Sequence, residues 1–181
     1  MPAAAAPLTA TGAFADTNGS AALDLPASLE AGVRWQARED VALFAVVRWL
    51  DWSRLEALRV RFDNPAQPDA VDELNYEDAW RFGIGADWAV SPRWTLRAGF
   101  AYDTSPTQTE FRSARIPDND RQIYALGASW TPDPRWQIDI AYNRVTLDDT
   151  AFDQTGDFGD RVRGTVQGHA DVLSIGATWR F

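Results

Sequence analysis

The chain has 181 residues, enough for one domain with its own core, and a net charge of −9 at pH 7. With no cysteine and one histidine, it excludes a disulfide framework, a thiolate nucleophile, a Cys-based cluster and a multi-His metal site. The acidic balance without a basic run excludes nucleic acid as a partner. An apolar content of 45% argues against disorder, and no apolar run reaches the ~18 residues of a membrane-spanning helix. The unusual count is tryptophan, at nine.

Residues 1–22 read as an irregular N-terminal segment. Met1 to Ala15 is rich in Ala and Thr, with Pro2 and Pro7. It has neither the positive start nor the clean apolar core of a signal peptide, so the expectation is either no export or a missing natural start. From residue 23 onward apolar and polar residues alternate. Trp80, Phe82, Ile84, Ala86 and Trp88 share one face, and Arg81, Gly83, Gly85 and Asp87 the other. Trp94, Leu96, Ala98, Phe100 and Tyr102 repeat the pattern, as do Tyr124 to Trp130, Trp136 to Tyr142 and Leu173 to Phe181. A period of two specifies strands. Seven are expected, near 24–37, 41–53, 75–90, 93–104, 121–131, 135–147 and 165–181. A Gly-small-polar-Trp pattern recurs at Gly32, Gly85, Gly127 and Gly176. Its spacings of 53, 42 and 49 residues are too uneven for a solenoid but suit hairpins with variable loops.

The connections alternate in length. Short ones fall near 38–40, 91–92 and 132–134, and long polar ones cover 54–74, 105–120 and 148–164. Short turns at one end and long loops at the other is the asymmetry of an outer-membrane β-barrel. The aromatics fit it. Trp35, Trp88, Trp94, Trp130, Trp136 and Trp179 lie beside the short turns or the C-terminus, while Trp49, Trp80, Tyr102, Tyr124 and Tyr142 lie toward the long loops on the same apolar faces. Eight residues separate Trp80 from Trp88, and at ~3.3 Å per residue with a tilt of about 40° the two rows stand roughly 20 Å apart. Two aromatic girdles bounding a lipid-facing band are expected. The opposite face carries Glu30, Arg34, Arg48, Arg81, Asp87, Arg97, Asp139 and Arg180, the composition of a polar lumen. A soluble barrel would instead turn its apolar face inward. The terminal Phe181, after alternating apolar residues, resembles the signal read by the bacterial barrel-assembly machinery.

From about Leu23 to Phe181 the chain resembles the C-terminal half of the FadL/TodX (OMPP1) family of outer-membrane transporters. The segments that carry the resemblance are Leu25-Pro26-Ala27-Ser28, Asp51-Trp52-Ser53-Arg54-Leu55, Tyr76 to Arg81, Arg97 to Pro106 and above all Ile116-Pro117-Asp118-Asn119-Asp120-Arg121. The resemblance implies an all-β antiparallel transmembrane barrel of fourteen strands, of which residues 23–181 supply seven. Their two unpaired edges cannot face lipid. A missing N-terminal half, a partner chain or a second copy is therefore expected to close the barrel. The implied function is passive uptake of long-chain fatty acids or other hydrophobic small molecules across the bacterial outer membrane, amid its lipid and lipopolysaccharide, with no cofactor, no metal and no catalysis. Asn64-Pro65-Ala66, similar to a motif near the family's N-terminus, falls in a loop here and reads as a turn.

Lumen residues Arg48, Arg81 and Arg97 are candidates to pair a substrate carboxylate, and Phe44 and Val46 to line a tail site. The competing reading pairs these arginines with Asp87, Asp139 and Glu30 to fill the barrel. The acidic residues Asp72, Glu73, Glu77 and Asp78 would repel a fatty-acid anion and favour a neutral substrate. Two further classes follow from the residues. A barrel lipid hydrolase would need a hydroxyl beside His169, but Ser174, five residues on, falls on the opposite face, and Thr165 is the other nearby hydroxyl. A small structural or adhesin barrel would need an eighth strand from residues 1–22, which do not alternate. The acidic loop with Asp148, Asp149, Asp153, Asp157 and Asp160 lacks the spacing of a calcium loop and reads as solvated.

Overall fold

The computed structural model describes residues 12, 15–155 and 159–181. Most of the N-terminal segment and Asp157 of the acidic loop lie outside the described residues. Among the described residues, ten strands form two sheets: β1 Gly19–Ala21, β2 Ser28–Gln36, β3 Val41–Leu50, β4 Ala57–Phe62, β5 Ala70–Glu73, β6 Ala79–Ser91, β7 Trp94–Asp103, β8 Arg121–Asp133, β9 Trp136–Thr155 and β10 Arg161–Trp179. The main sheet has seven antiparallel strands in the order β10-β9-β8-β7-β6-β3-β2. These seven occupy the seven spans expected from alternation. The sheet is open, with β2 and β10 at its edges.

Two expected loops are structured. The stretch 54–74 holds β4 and β5, which pair with each other and with β1 in a separate three-stranded sheet. Thus the N-terminal segment is not wholly irregular: Gly19–Ala21 pairs with Val60–Phe62. Asn64 does close a turn, its Oδ1 accepting from the Ala66 N–H at 3.0 Å. The stretch 148–164 is also not a simple loop. β9 runs on to Thr155 and β10 starts at Arg161, so the two continue as a paired hairpin past Leu147, which lies opposite Arg121, the first residue of β8. Eight further residues at ~3.3 Å each carry it about 25 Å beyond the sheet's rim.

The apolar face is exposed. Leu29, Val33, Phe82, Ile84, Leu126, Ile140, Leu173 and Ile175 all present large hydrophobic side chains outward. Among the described residues, the buried hydrophobic ones are Ala42, Leu55 and Ala79, so this face covers no core. The aromatics expected as girdles lie on this face. Trp94 stacks on Trp130 at 5.9 Å, Trp136 on Trp179 at 6.1 Å and Trp80 on Phe82 at 6.0 Å. Each stacked pair across strands flanks a strand end, where an amphipathic ring with one polar atom suits the lipid–water boundary. Phe181 packs against Trp179 at 4.7 Å.

Candidate functional site

Register places the inner face in rows along the hydrogen-bond direction. Nearest the long loops runs a charged row, Glu30, Arg48, Arg81, Asp103 and Arg121, one residue from each of β2, β3, β6, β7 and β8. Its signs alternate except between Arg48 and Arg81. Each arginine is drawn to a carboxylate: Arg48 Nε to Glu30 at 2.6 Å, Arg81 Nε to Asp103 at 2.6 Å and Arg121 Nη2 to Asp118 at 2.6 Å.

Two rows without acidic residues follow. The first is Gly32, Val46, Gly83, Ala101, Ile123 and Val145, and the second Arg34, Phe44, Gly85, Gly99, Ala125 and Asn143. Beyond them lies a second polar layer. Arg97 sits opposite Asp87, with 3.5 Å between Nε and Oδ1, and 3.9 Å from Asp139. Arg97 also donates to the Ser129 hydroxyl, which donates to Asp139, and Gln137 Nε2 donates to Asp139 at 3.0 Å.

Between the two polar layers is a trough of about 500 Å³ lined by Phe44, Val46, Gly83, Gly85, Gly99, Ala101, Ile123, Ala125 and Gly127, with Arg81, Asp87 and Arg97 at its ends. Its floor is bare backbone because three glycines meet there. A methyl group at Gly83 would come within 2.8 Å of Val46 Cγ1, and one at Gly85 within 3.2 Å of the Ala98 carbonyl. The backbone polar groups of the floor are spent in the ladder, so the surface they leave is non-bonding and shallow.

Of the five candidate binding residues, Phe44, Val46, Arg81 and Arg97 line the trough. Arg48 does not. It lies in a second cavity of about 600 Å³ further toward the loops, shared with Arg81, Trp52, Tyr76, Pro106 and Ile116. All three arginines hold carboxylates, and Asp103 joins the expected partners Glu30, Asp87 and Asp139. Asp103, Ser129, Ile123 and the glycine floor were not singled out from the sequence. Alternation shows their face, but only register shows their neighbours.

The roof of the outer cavity is stitched by the Ile116–Arg121 block. Asp120 accepts from the Ser105 N–H at 2.8 Å and from the Tyr102 hydroxyl, and Asp118 from the Ser105 hydroxyl at 2.9 Å. Asn119 donates to the Asp149 carbonyl at 2.9 Å, and buried Arg112 to the Ala151 carbonyl at 3.2 Å. Both tie the loop to the protruding β9–β10 hairpin. On the other side, Asp78 accepts from the Trp49 indole at 2.9 Å and the Ser53 N–H at 3.2 Å. These donors, Trp49 first, hold its carboxyl below the usual range. His169 lies 3.7 Å from Asp171 on the outer face, while Ser174 pairs with Ala141 of the inner face. No hydroxyl–imidazole pair forms between them.

A family model described as outer membrane protein transport protein (OMPP1/FadL/TodX) matches residues 1–181. The chain belongs to this family. It is 31% identical over 176 residues to outer membrane protein P1 of Haemophilus influenzae, covering 92% of this chain and 38% of that protein. It is 33% identical over 107 residues to the long-chain fatty acid transport protein of Escherichia coli, covering 59% of this chain and 24% of the relative. A crystal structure of a Pseudomonas aeruginosa FadL homologue superposes with a TM-score of 0.81 at 30% identity, over 89% of this chain and 37% of that one. This FadL-family chain therefore spans under two fifths of the length of these relatives. The relatives place it in the bacterial outer membrane, and they explain the exposed apolar face as a lipid-facing one.

Proposed function

We propose that the chain forms the C-terminal part of a fourteen-stranded outer-membrane barrel, incomplete alone, whose inner face lines a passive path for a fatty acid or another hydrophobic compound. One observation carries this reading: a trough walled by Phe44, Val46, Ile123 and a backbone floor, on the face opposite the lipid-facing one. Such a surface attracts an apolar molecule by burial and holds it by few directed bonds, so release stays fast. The open edges at β2 and β10 support completion by further strands, since their unpaired amides and carbonyls have no partners in hydrocarbon.

The test is uptake of labelled oleate and labelled toluene by cells that lack their own transporter of this kind. They would express this chain alone, or together with the N-terminal part of the Haemophilus influenzae relative. Uptake only with both parts is expected. A chain that inserts and transports alone overturns the incompleteness, and a completed barrel that admits neither compound overturns the transport reading.

A further inference from the structure

We infer that Asn143 is the residue by which the trough selects among neutral ligands, favouring those with a hydrogen-bonding head group over bare hydrocarbons. The inference rests on the proposed function, because it names what the trough holds. Polar side chains line the trough at Arg81, Asp87, Arg97 and Asn143. The first three stand at its ends and are engaged: Arg81 grips Asp103, and Arg97 faces Asp87 at 3.5 Å. Asn143 is the exception. It belongs to the second of the two rows without acidic residues, so it sits between the polar layers and in neither. Among the described residues, no hydrogen bond within 3.5 Å engages its amide.

The sheet explains this isolation. β9 is flanked on both sides by strands of this chain, β8 and β10. Ala125 and Val172 stand directly opposite Asn143, and Ala141 and Val145 are the next inner-face residues along its own strand. Ser174, one diagonal step away opposite Ala141, makes no bond to it. The positions nearest this short side chain are therefore apolar, and they lie on strands already in place and not across an open edge. An amide offers two N–H donors and a carbonyl oxygen with two lone pairs. A hydrocarbon that fills the trough strips their water and leaves the desolvated amide unbonded. A ligand hydroxyl or carbonyl at the same place restores the bond. An ionised head also bonds, but it enters an apolar stretch whose end cations are already matched to carboxylates. Register places Phe44 across the trough from Asn143, four strand spacings or about 19 Å away at ~4.8 Å each. A ligand headed at Asn143 therefore lays its tail along the glycine floor toward Phe44.

The test uses this chain assembled with the N-terminal part of the Haemophilus influenzae relative, in nonionic micelles. Equilibrium dialysis would measure tritiated dodecanol and tritiated tridecane, which match in length and differ by a hydroxyl in place of a methyl. Each is referred to its own partition into empty micelles. On that scale the parent is expected to favour dodecanol. Asn143→Leu, close in volume, should weaken dodecanol about fivefold and tighten tridecane about fivefold, the scale of one neutral hydrogen bond lost and one stranded amide removed. A merely structural role would move both probes the same way. A parent that favours neither probe, or a variant that shifts both together, overturns the role of Asn143 and leaves the trough as a binding site. Failure of the parent to bind either probe overturns the trough reading itself, and the assignment with it.

Discussion

The outer charged row contains two ion pairs of similar length that should behave differently: Arg81 grips Asp103 through both Nε and Nη2, while Arg48 holds Glu30 through Nε alone. Arg48–Glu30 and Arg81–Asp103 both close at 2.6 Å between directly opposed strand residues. The arginines are equally exposed, at 40%, but the Glu30 side chain is 48% exposed and the Asp103 side chain 12%. Removing Arg48 strands a carboxylate that water can solvate, and an exposed pair of this kind is worth about 0–1 kcal/mol. Removing Arg81 strands a carboxylate that water scarcely reaches. Breaking a fully buried pair costs about 3–5 kcal/mol, and with half of this pair wet about 2–3 kcal/mol is expected. The assay is urea unfolding in lipid vesicles of this chain assembled with the N-terminal part of the Haemophilus influenzae relative, followed by tryptophan emission, in two double-mutant cycles: Arg48→Gln with Glu30→Gln, and Arg81→Gln with Asp103→Asn. The coupling energy should exceed about 1.5 kcal/mol in the second cycle and stay below about 1 kcal/mol in the first. Equal couplings would refute the idea that carboxylate burial and the second N–H···O bond, rather than bond length, set the strength of this row.

Three other outcomes follow from the same geometry. Ile84→Arg places a charge on the outer face, 65% exposed at the middle of β6, and should cost about 2–4 kcal/mol in vesicle-based unfolding; a cost below about 0.5 kcal/mol, normal for a watered surface, would reverse the assignment of the two faces. The Trp49–Asp78 contact should depend on acid. Because the folded Asp78 pKa is lowered from 3.8, the contact's stabilisation is complete above that value and fades as pH falls through the lower folded one; the Trp49 indole N–H resonance should shift with a midpoint below 3.8, and a midpoint at or above it would contradict the hydrogen bond. Arg112→Leu removes a buried donor from the carbonyls of Ala151 and Thr107, a loss of about 1–3 kcal/mol, and should speed proteolysis within 104–120 while leaving the main sheet's hydrogen exchange unchanged.

The seven sheet strands were legible because lipid on one side and a lumen on the other impose strict alternation over each crossing. Trp80 to Trp88 and Trp94 to Tyr102 show it without a break. That pressure ends at the rim. Past Leu147 the hairpin has no lipid face, so Asp148, Asp149 and Asp153 crowd it with acid and it reads as loop, though after one register shift between Gly168 and Val166 its backbone pairs on to Thr155 and Arg161. The β4 strand hid for a similar reason: Leu58, Val60 and Phe62 alternate with Arg59 and Arg61, but the run is short and a segment with Pro65 and Pro68 follows it at once. At the site, alternation identified which residues face inward. It did not identify Asp103 as Arg81's partner, nor Gly83, Gly85 and Gly99 as one floor, because these are facts of register across strands far apart in sequence. The Ile116–Arg121 block stood out in the sequence, and its structural reason is now concrete, since Asp118 and Asp120 both fasten Ser105 and Asn119 fastens Asp149.

Under the proposed uptake role, the bare floor gives the passage a one-way susceptibility to change. At Gly83, Gly85 and Gly99 there is nothing left to delete, so every substitution there narrows the bore. At Gly83 even a methyl meets Val46 at 2.8 Å. A lineage altering these positions can exclude bulky compounds but cannot admit larger ones through them. Widening has to come from trimming Phe44, Val46 or Ile123, whose side chains stand free of the backbone ladder. Selectivity in such a duct therefore drifts toward smaller cargo by default, and enlargement is confined to a few wall positions.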